Sequence, residues 1–367
     1  MRKPNVEENM RKTYTWLIVL LLIVSGVFAD ITISGDARVR PRLDIKDNGE
    51  YGNKTSDIYY LYRARLLLSA DIGNGYFFKT RLGHNGVAYW IGQFGTGTTP
   101  HAASIGSAGR ESVDFMELYF GRNSDTFSWS AGIIPVGHNP LKDIHFYPGM
   151  MVDIPWVIFS NNAAHGFDLN YKLAGNKLDV KIMVDDNSGR VVDDVVDSLD
   201  VTTKDQYTIN ASYPVAVAGL QITPEFLMTL ADEGQTAPLT YGATIGLPKI
   251  AGFGLTAYAG LSNQTVVDTL IGTEAYSGWI GRVKLVGAIG PGKLTAWYDI
   301  AQTTPDITNA TSTNFSYLWL SYSYTLHKSD KGALTVAPTY RLYTQKIDGL
   351  KDYNRAKLEI TTQITFK

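Results

Sequence analysis

A two-residue alternation of apolar and polar side chains runs through most of the chain, in segments of about ten residues. In the last segment Leu358, Ile360 and Ile364 alternate with charged or polar residues such as Glu359, and Phe366 stands next to the end. Successive side chains of a β-strand point to opposite faces, so this period predicts strands with one apolar and one polar face. Strands of this length and pattern are typical of transmembrane β-barrels.

The beginning of the chain has the pattern of an export signal. Arg11 and Lys12 precede an apolar run over residues 16–24, and Val27 and Ala29 are small residues at the two positions that a signal peptidase reads. The sequence therefore predicts cleavage before residue 30.

This export pattern has one alternative reading, a single membrane-spanning anchor. The apolar run is too short for an anchor, and no stop-transfer charges follow it. Residues 1–29 are thus predicted to be a signal peptide, whose start is placed either at the first residue or at Met10. Residues 30–367 are predicted to form the mature domain.

Composition restricts the kinds of protein that the chain can be. It contains no cysteine, which excludes disulfides, thiolate metal sites and covalent haem attachment. After residue 29 no stretch approaches the ~20 apolar residues that a membrane helix needs. Only 19% of the residues are charged, and mean hydropathy is close to neutral. A barrel gives such averages because half of each strand faces lipid and half faces water.

The alternating segments can be counted, and their connections differ in length. The segments lie near 31–45, 57–71, 76–84, 112–121, 126–137, 165–173, 177–185, 206–215, 219–230, 239–247, 253–261, 275–286, 293–302, 314–326, 333–345 and 353–366. Short turns alternate with longer polar loops between them, which is the pattern of outer-membrane barrels with short periplasmic turns. We therefore predict an all-β fold, a 16-stranded antiparallel transmembrane β-barrel with an inward-folded third loop. A secreted β-sandwich or propeller would not explain the aromatic residues on the apolar face near strand ends.

Three short stretches resemble the Gram-negative outer-membrane porins, and the phosphate-selective porin O and P group more than the general porins. They are Tyr62–Leu66 with the following 71–73, Glu117–Gly121, and Ala131–Gly137. Ile133 stands where that group usually has glutamine or arginine. The resemblance implies a homotrimer of 16-stranded barrels, each narrowed by its third loop.

Basic residues are concentrated on the predicted inner faces of the first three strands. We call this set the basic wall: Arg38, Arg40, Arg42, Arg63, Arg65, Lys79 and Arg81. Cations facing lipid would each cost several kcal/mol, roughly 2–4, so these side chains are expected to face water and to attract anions. The alternative is that Asp36, Asp44, Glu117 and the third loop pair with them, so that they only hold that loop. Pro41 on the apolar face predicts a bulge or an edge-like interruption of the first strand.

The third loop, residues 138–164, is predicted to form the constriction, with an ordinary exposed outer loop as the alternative. Its candidate residues are Lys142, Asp143, His145 and Asp153. The histidines of the chain show no metal-binding spacing, and neither a metal site nor a cofactor is predicted. The fourth loop is acidic, and its truncated calcium-loop pattern from Asp185 leaves a bridging divalent cation open beside a solvated loop.

The predicted function is an outer-membrane porin for passive diffusion of small hydrophilic solutes, with a preference for anions. Its predicted partners are outer-membrane lipid and lipopolysaccharide, further copies of the chain in a homotrimer, and small anionic or neutral solutes, but no nucleic acid. Phe366 is predicted to be a lipid-facing assembly signal. The alternatives are a structural or adhesive barrel and a barrel enzyme. The enzyme is disfavoured because no Gly-x-Ser-x-Gly motif occurs.

Overall fold

A computed structural model of the chain describes residues 30–49, 52–85, 92–93, 112–137, 139–146, 148, 163–186, 206–231, 236–266, 275–307 and 310–367. The predicted signal peptide, residues 1–29, and Asp153 of the third loop lie outside the described residues. Within these ranges, no helix is long and apolar enough to cross a membrane.

The described chain consists almost entirely of antiparallel strands, with one short helix, α1 (Pro140–Phe146). The strands are β1 (Asp30–Asp47), β2 (Lys54–Gly73), β3 (Tyr76–Asn85), β4 (Gly92–Gln93), β5 (Ser112–Arg122), β6 (Phe127–Pro135), β7 (Ala163–Leu173), β8 (Asn176–Asp186), β9 (Gln206–Ser212), β10 (Val215–Val217), β11 (Leu220–Ala231), β12 (Thr236–Gly246), β13 (Gly254–Val266), β14 (Tyr276–Ile289), β15 (Gly292–Pro305), β16 (Thr313–Ser329), β17 (Gly332–Ile347) and β18 (Tyr353–Phe366).

The strands close into a barrel because the first pairs with the last. β1 pairs with β2 on one side and with β18 on the other. The two shortest strands, β4 and β10, are side pairings on β2 and β11, while β3 pairs directly with β5 and β9 with β11. The remaining strands form one closed ring of sixteen, so the predicted 16-stranded antiparallel barrel is confirmed.

Tight turns join the strands at one end of the barrel. Residues 74–75, 174–175, 218–219 and 251–252 have positive φ at both positions, for example 53° at Asn74 and 80° at Gly75. Two consecutive residues with positive φ form a type I′ turn, whose twist matches that of the flanking strands. These turns lie at four of the short connections that the sequence predicts.

The two faces of each strand differ as the alternation predicts. On the outer face apolar side chains stay exposed: Ile33 and Ile360 are each 49% exposed, and Val39 is 43% exposed. The neighbouring inner-face residues are polar and buried, such as Arg42 and Glu359. An apolar outer face with a polar interior is the arrangement that a lipid-embedded barrel needs.

Pro41 interrupts backbone pairing on one side of β1 without causing a bulge. The pairing of β1 with β2 keeps one register through Pro41, which lies opposite Tyr60. Toward β18, pairing stops after Val39 and resumes at Arg42 in the same register. Proline has no backbone N–H to donate, so of the two predicted outcomes the structure has the edge-like interruption.

Candidate functional site in the barrel lumen

The third loop enters the barrel, and α1 packs against the inner faces of β11–β14. We call this surface the helix wall. Leu141 and Ile144 are each 0% exposed, and they belong to one apolar cluster with Leu227 of β11 and Ile280 of β14. α1 follows β6, so the loop crosses the lumen to reach a wall several strands away. The predicted inward fold of this loop is therefore present over Pro140–Phe146.

Two glycines of the helix wall make room for Leu141. A Cβ atom added to Gly260 would lie 1.8 Å from Leu141 Cδ2, and one added to Gly242 would lie 2.7 Å from the same atom. Gly242 and Gly260 are direct partners on β12 and β13. The pair therefore forms a slot into which the leucine fits, and any side chain at Gly260 would displace it.

His145 fastens the end of α1 to the same wall by hydrogen bonds. Its Nδ1 lies 2.8 Å from Thr240 Oγ1 and its Nε2 2.9 Å from Thr229 Oγ1, while Gln264 Nε2 donates to its carbonyl oxygen at 3.3 Å. Burial lowers the pKa of His145 to about 3, since the charged imidazolium would lose its water. His145 is thus a neutral anchor near pH 7.

The charged residues of α1 are buried as well. Lys142 Nζ donates to the carbonyl oxygen of Val136 at 3.0 Å and lies 3.6 Å from Glu225 Oε1, and burial lowers the pKa of this lysine. Asp143 is 6% exposed and faces Arg282 and Asp299. Burial raises the pKa of Asp143 well above its usual value, with Arg282 opposing the shift and Asp299 adding to it. Lys142, Asp143 and His145 thus face the wall and not the solvent.

On the opposite side, several members of the basic wall pair with carboxylates. Asp36 binds both Arg63, at 3.0 Å, and Arg65, at 2.7 Å. Arg81 forms an ion pair with Glu117 across β3 and β5. Within the described part of the chain, Arg38 and Lys79 form no salt bridge to a carboxylate.

The basic wall continues past β1 onto the last two strands. Glu359 of β18 lies among Arg40, Arg42 and Arg341, with its Oε1 2.7 Å from Arg341 Nη2 and its Oε2 3.8 Å from Arg40 Nη1. Glu359 is 1% exposed.

A second pairing lies nearer the loop end of the same strands. Asp44 of β1 accepts hydrogen bonds from Arg355 Nε at 2.9 Å and Nη2 at 2.5 Å. The hydroxyl of Tyr59 donates to Asp44 at 2.9 Å and accepts from Arg42 at 3.0 Å.

Exposure divides the cations of this side into two groups. Arg40, Arg42 and Arg63 have side chains 6–8% exposed, whereas the side chains of Arg65 and Arg81 are 16% and 29% exposed. We call the more exposed set the open cations: Arg38, Arg65, Lys79 and Arg81. Among the residues of the basic wall, these four are the ones placed to meet a solute in water.

The sequence analysis did not select Arg341, Arg355, Lys357 or Glu359, although all four stand at polar positions of alternating strands. Closure of the last strand on the first was predicted, but the register of β18 against β1, which decides which side chains meet, was not. The register of β14–β18 places five side chains in one row across the strands, each directly opposite the next: Lys284, Trp297, Trp319, Arg341 and Lys357. Two tryptophan rings therefore lie between the cations of this row.

The two indoles of this row are stacked. The Trp297 and Trp319 rings lie 4.5 Å apart at 7°. Lys284 and Arg282 lie over Trp297, and Arg341 lies over Trp319. The stack therefore links the basic wall to Arg282 beside the helix wall.

Two further predictions concern single features. Phe366 lies on the outer face, 40% exposed, with its ring against Gly35 of β1. Among the residues that the structure describes, no group of three or more histidine or acidic side chains could hold a metal ion.

Comparison with solved structures identifies the architecture. The chain is similar to the outer-membrane channel DcaP of Acinetobacter baumannii, with 16% identity, a TM-score of 0.58 and coverage of 93% of this chain and 99% of that one. It is also similar to an anion-selective porin from Comamonas acidovorans, with 12% identity, a TM-score of 0.55 and coverage of 92% and 100%. The trimer form of OmpT, an outer membrane protein of Vibrio cholerae, matches at 9% identity with a TM-score of 0.55, covering 92% and 100%.

No protein-family model matches the chain, and no curated protein matches it. At these identities the structural likeness establishes the fold. A closed barrel with an apolar outer face, shared with outer-membrane channels, places the chain in the outer membrane of a Gram-negative-type bacterium.

Proposed function

We propose that the protein is a porin that admits small hydrophilic solutes by passive diffusion and prefers anions. The observation that supports this most strongly is the unequal lumen: open cations line one side, and α1 occupies the other. A wall with an excess of one charge raises the local concentration of counter-ions and repels ions of the same sign. The similar Comamonas protein is described as anion-selective, which agrees with the proposal.

The test is the reversal potential of a single channel under a salt gradient. We expect an anion preference at 0.1 M salt that fades toward 1 M, because the screening length falls from about 10 Å to about 3 Å. Arg38→Gln with Lys79→Gln replaces the two open cations that have no described carboxylate partner. This double substitution should lower the anion preference. The matched control is Lys249→Gln with Lys331→Gln, which removes two exposed cations from turns. Cation preference in the wild type, unchanged by the first pair, would contradict the proposal.

In the alternative reading, carboxylates neutralise the basic wall. The ion pairs of Asp36 with Arg63 and Arg65, and of Glu117 with Arg81, support it. It predicts weak selectivity at any salt. The wild-type reversal potential at 0.1 M salt therefore distinguishes the two readings. Arg63→Ala with Arg65→Ala then tests whether these two cations face the permeation path, and a fall in anion preference is the expected result. An unchanged reversal potential would place both arginines off that path.

The finer solute class and the partners belong to the same proposal. We infer a homotrimer, because the similar Vibrio protein is described in a trimer form. The arginine-rich wall fits phosphate, dicarboxylates and nitrate alike, and contacts with lipopolysaccharide stay a prediction. Analytical ultracentrifugation in detergent should give the mass of three copies. Liposomes that contain a porin should swell in small sugars, whereas liposomes that contain an adhesive barrel or a barrel enzyme should not.

Phe366 is proposed to act in assembly, as an aromatic anchor on the lipid-facing side of β18. Phe366→Asp should block insertion, because a carboxylate would replace an interfacial ring. Thr365→Asp, on the inner face one residue earlier, is the matched control and should assemble. Normal heat-modifiable gel mobility of Phe366→Asp would contradict this role.

A further inference from the structure

One neighbouring strand pair in the barrel differs from all the others in its connection. β1 and β18 are the first and last strands of the ring, so no turn or loop joins them directly. Every other pair consists of consecutive strands of the ring, with the short strands β4 and β10 lying between β3 and β5 and between β9 and β11. We call this pair the seam. Opening the barrel at the seam breaks non-covalent contacts only and moves no connecting turn.

The seam also has an interrupted backbone ladder. Its partners run from Gly35 with Phe366 to Val39 with Thr362, and then from Arg42 with Glu359 to Asp47 with Asn354. Pro41 falls in the gap and has no N–H to donate. The contacts that hold the middle of the seam must therefore come from side chains.

Buried charged side chains bridge the seam at this gap. Arg40 Nε donates to Thr361 Oγ1 at 2.8 Å, and Arg40 and Arg42 both ion-pair with Glu359. Near the loop end, Arg355 binds Asp44 through two nitrogens. All of these contacts join β1 to β18.

We propose that this network is a closure lock for the barrel. Two of the seven residues of the basic wall, Arg40 and Arg42, thus have a role separate from permeation. The ion pairs lie where the side chains are almost fully shielded from water, Glu359 being 0% exposed in its side chain. Charge pairs interact more strongly where water is excluded. Arg341 of β17 holds the same carboxylate from the far side at 2.7 Å, so Glu359 ties three strands together.

The first measurement compares two buried carboxylates. Glu359→Gln removes the charge at the seam, and Asp299→Asn removes an equally buried one, whose bidentate partner Arg282 lies across β14 and β15 at 2.5 and 2.7 Å. Barrel opening is measured by the gel-shift temperature, at which the folded, fast-migrating form is converted to the slow, unfolded form. We expect Glu359→Gln to lower the gel-shift temperature at least twice as much as Asp299→Asn does.

A larger fall in the gel-shift temperature would not by itself show that the barrel opens at the seam, because Glu359 contacts three arginines and Asp299 only one. Engineered disulfides test where the barrel opens, and the chain has no cysteine of its own that would interfere. Leu43→Cys with Leu358→Cys, direct partners on the outer face, would cross-link the seam. Val283→Cys with Tyr298→Cys, also exposed direct partners, would cross-link β14 and β15 as a control.

The expected result is that oxidation of the seam disulfide restores the gel-shift temperature of Glu359→Gln, whereas oxidation of the control disulfide does not. Equal rescue by both disulfides, or a Glu359→Gln barrel no less stable than Asp299→Asn, would overturn the proposal. Each disulfide is first measured in the otherwise unchanged chain, and that gain is subtracted, because the seam disulfide closes the longer loop and stabilises more for that reason alone. If Glu359→Gln fails to fold, Arg40→Gln, which loses contacts to Glu359 and Thr361, takes its place in the same comparison. Equal rescue of that variant by both disulfides would then overturn the proposal.

Discussion

The basic wall and the helix wall are built from the same alternating strands, yet they are stabilised in opposite ways. At the basic wall the inner positions carry arginines, whose carboxylate partners include Asp36 and Glu359. At the helix wall they carry Gly242, Gly260 and Leu227, together with threonines.

The helix packs closely where glycine and leucine line the inner face, because covering them costs no hydration of a charged group. The charges that the helix wall does carry are matched by charges on α1, since Glu225 lies 3.6 Å from Lys142 and Arg282 faces Asp143. The comparison teaches that the position of α1 depends on apolar fit and matched charge together.

The change with the largest expected effect would detach α1 from the helix wall. Ile144→Asp loses the packing of a fully buried isoleucine, ~2–5 kcal/mol for truncation alone, and adds a buried carboxylate without a partner. We expect a clear rise in single-channel conductance. Ile144→Leu conserves volume, should cost less than about 1.5 kcal/mol and is the control. Wild-type conductance of Ile144→Asp would show that α1 does not narrow the channel.

The glycine slot gives a smaller and reversible effect. Gly260→Val should push Leu141 out of place, since even a Cβ would lie 1.8 Å from its Cδ2, and overpacking costs ~1–3 kcal/mol. Conductance and its noise should both rise. Adding Leu141→Ala to the same chain should bring the noise back toward wild type, because the shorter side chain leaves room for valine. Additive effects of the two substitutions would contradict the slot.

Lowering the pH should change the stability of α1 packing through two groups whose effects are opposite in sign. His145 is neutral when packed against Thr229 and Thr240, with a pKa of about 3, so its contribution is present above pH ~6.5 and is lost as pH falls toward 3. Asp143 faces Arg282, Asp299 and Lys142, and its pKa is raised, so its contribution is present below pH ~3.9 and is lost as pH rises.

Single substitutions separate the two contributions. In Asp143→Asn, conductance noise should increase as pH falls from 7 to 4, because only His145 still responds. In His145→Gln the noise should instead decrease over the same range. Recordings of both variants in planar bilayers at constant salt check the signs, and identical pH profiles would refute the assignment.

The smallest expected effect concerns the stacked indoles that connect the two walls. Trp319→Leu removes a ring stacked at 4.5 Å on Trp297, an interaction worth ~0.5–1.5 kcal/mol. The gel-shift temperature should fall slightly, with conductance unchanged. Trp129→Leu, which removes a ring packed edge-on against Phe120, is the control and should behave alike. A conductance change in Trp319→Leu alone would place the stack at the constriction.

Local pattern predicted a large part of the fold. Each of the sixteen barrel strands overlaps a predicted segment, because period-2 alternation depends only on neighbouring side chains and on which of them can face lipid. Boundaries were less accurate: the fifth segment, predicted to end at 137, ends at Pro135, and the segment predicted from 206 to 215 is divided into β9 and β10. Strand ends depend on pairing with a partner, which a single segment does not contain.

The candidate site was predictable only in part, for the same reason. Inner-face placement of Arg40 and Arg42 follows from alternation, whereas their carboxylate, Glu359, lies more than three hundred residues away in sequence. Likewise, no pattern in residues 138–164 indicates that Leu141 meets Gly260 or that His145 reaches Thr229. Those contacts depend on where the loop crosses the lumen.

By itself, the sequence determined the strand period, the face on which each side chain lies and the even number of strands, because a membrane barrel must satisfy every backbone group and keep charge away from lipid. Only the tertiary structure decided which arginines pair at the seam, which stay open to water and which wall receives α1. Those outcomes depend on distances between residues far apart in the chain, and closure of the ring sets those distances.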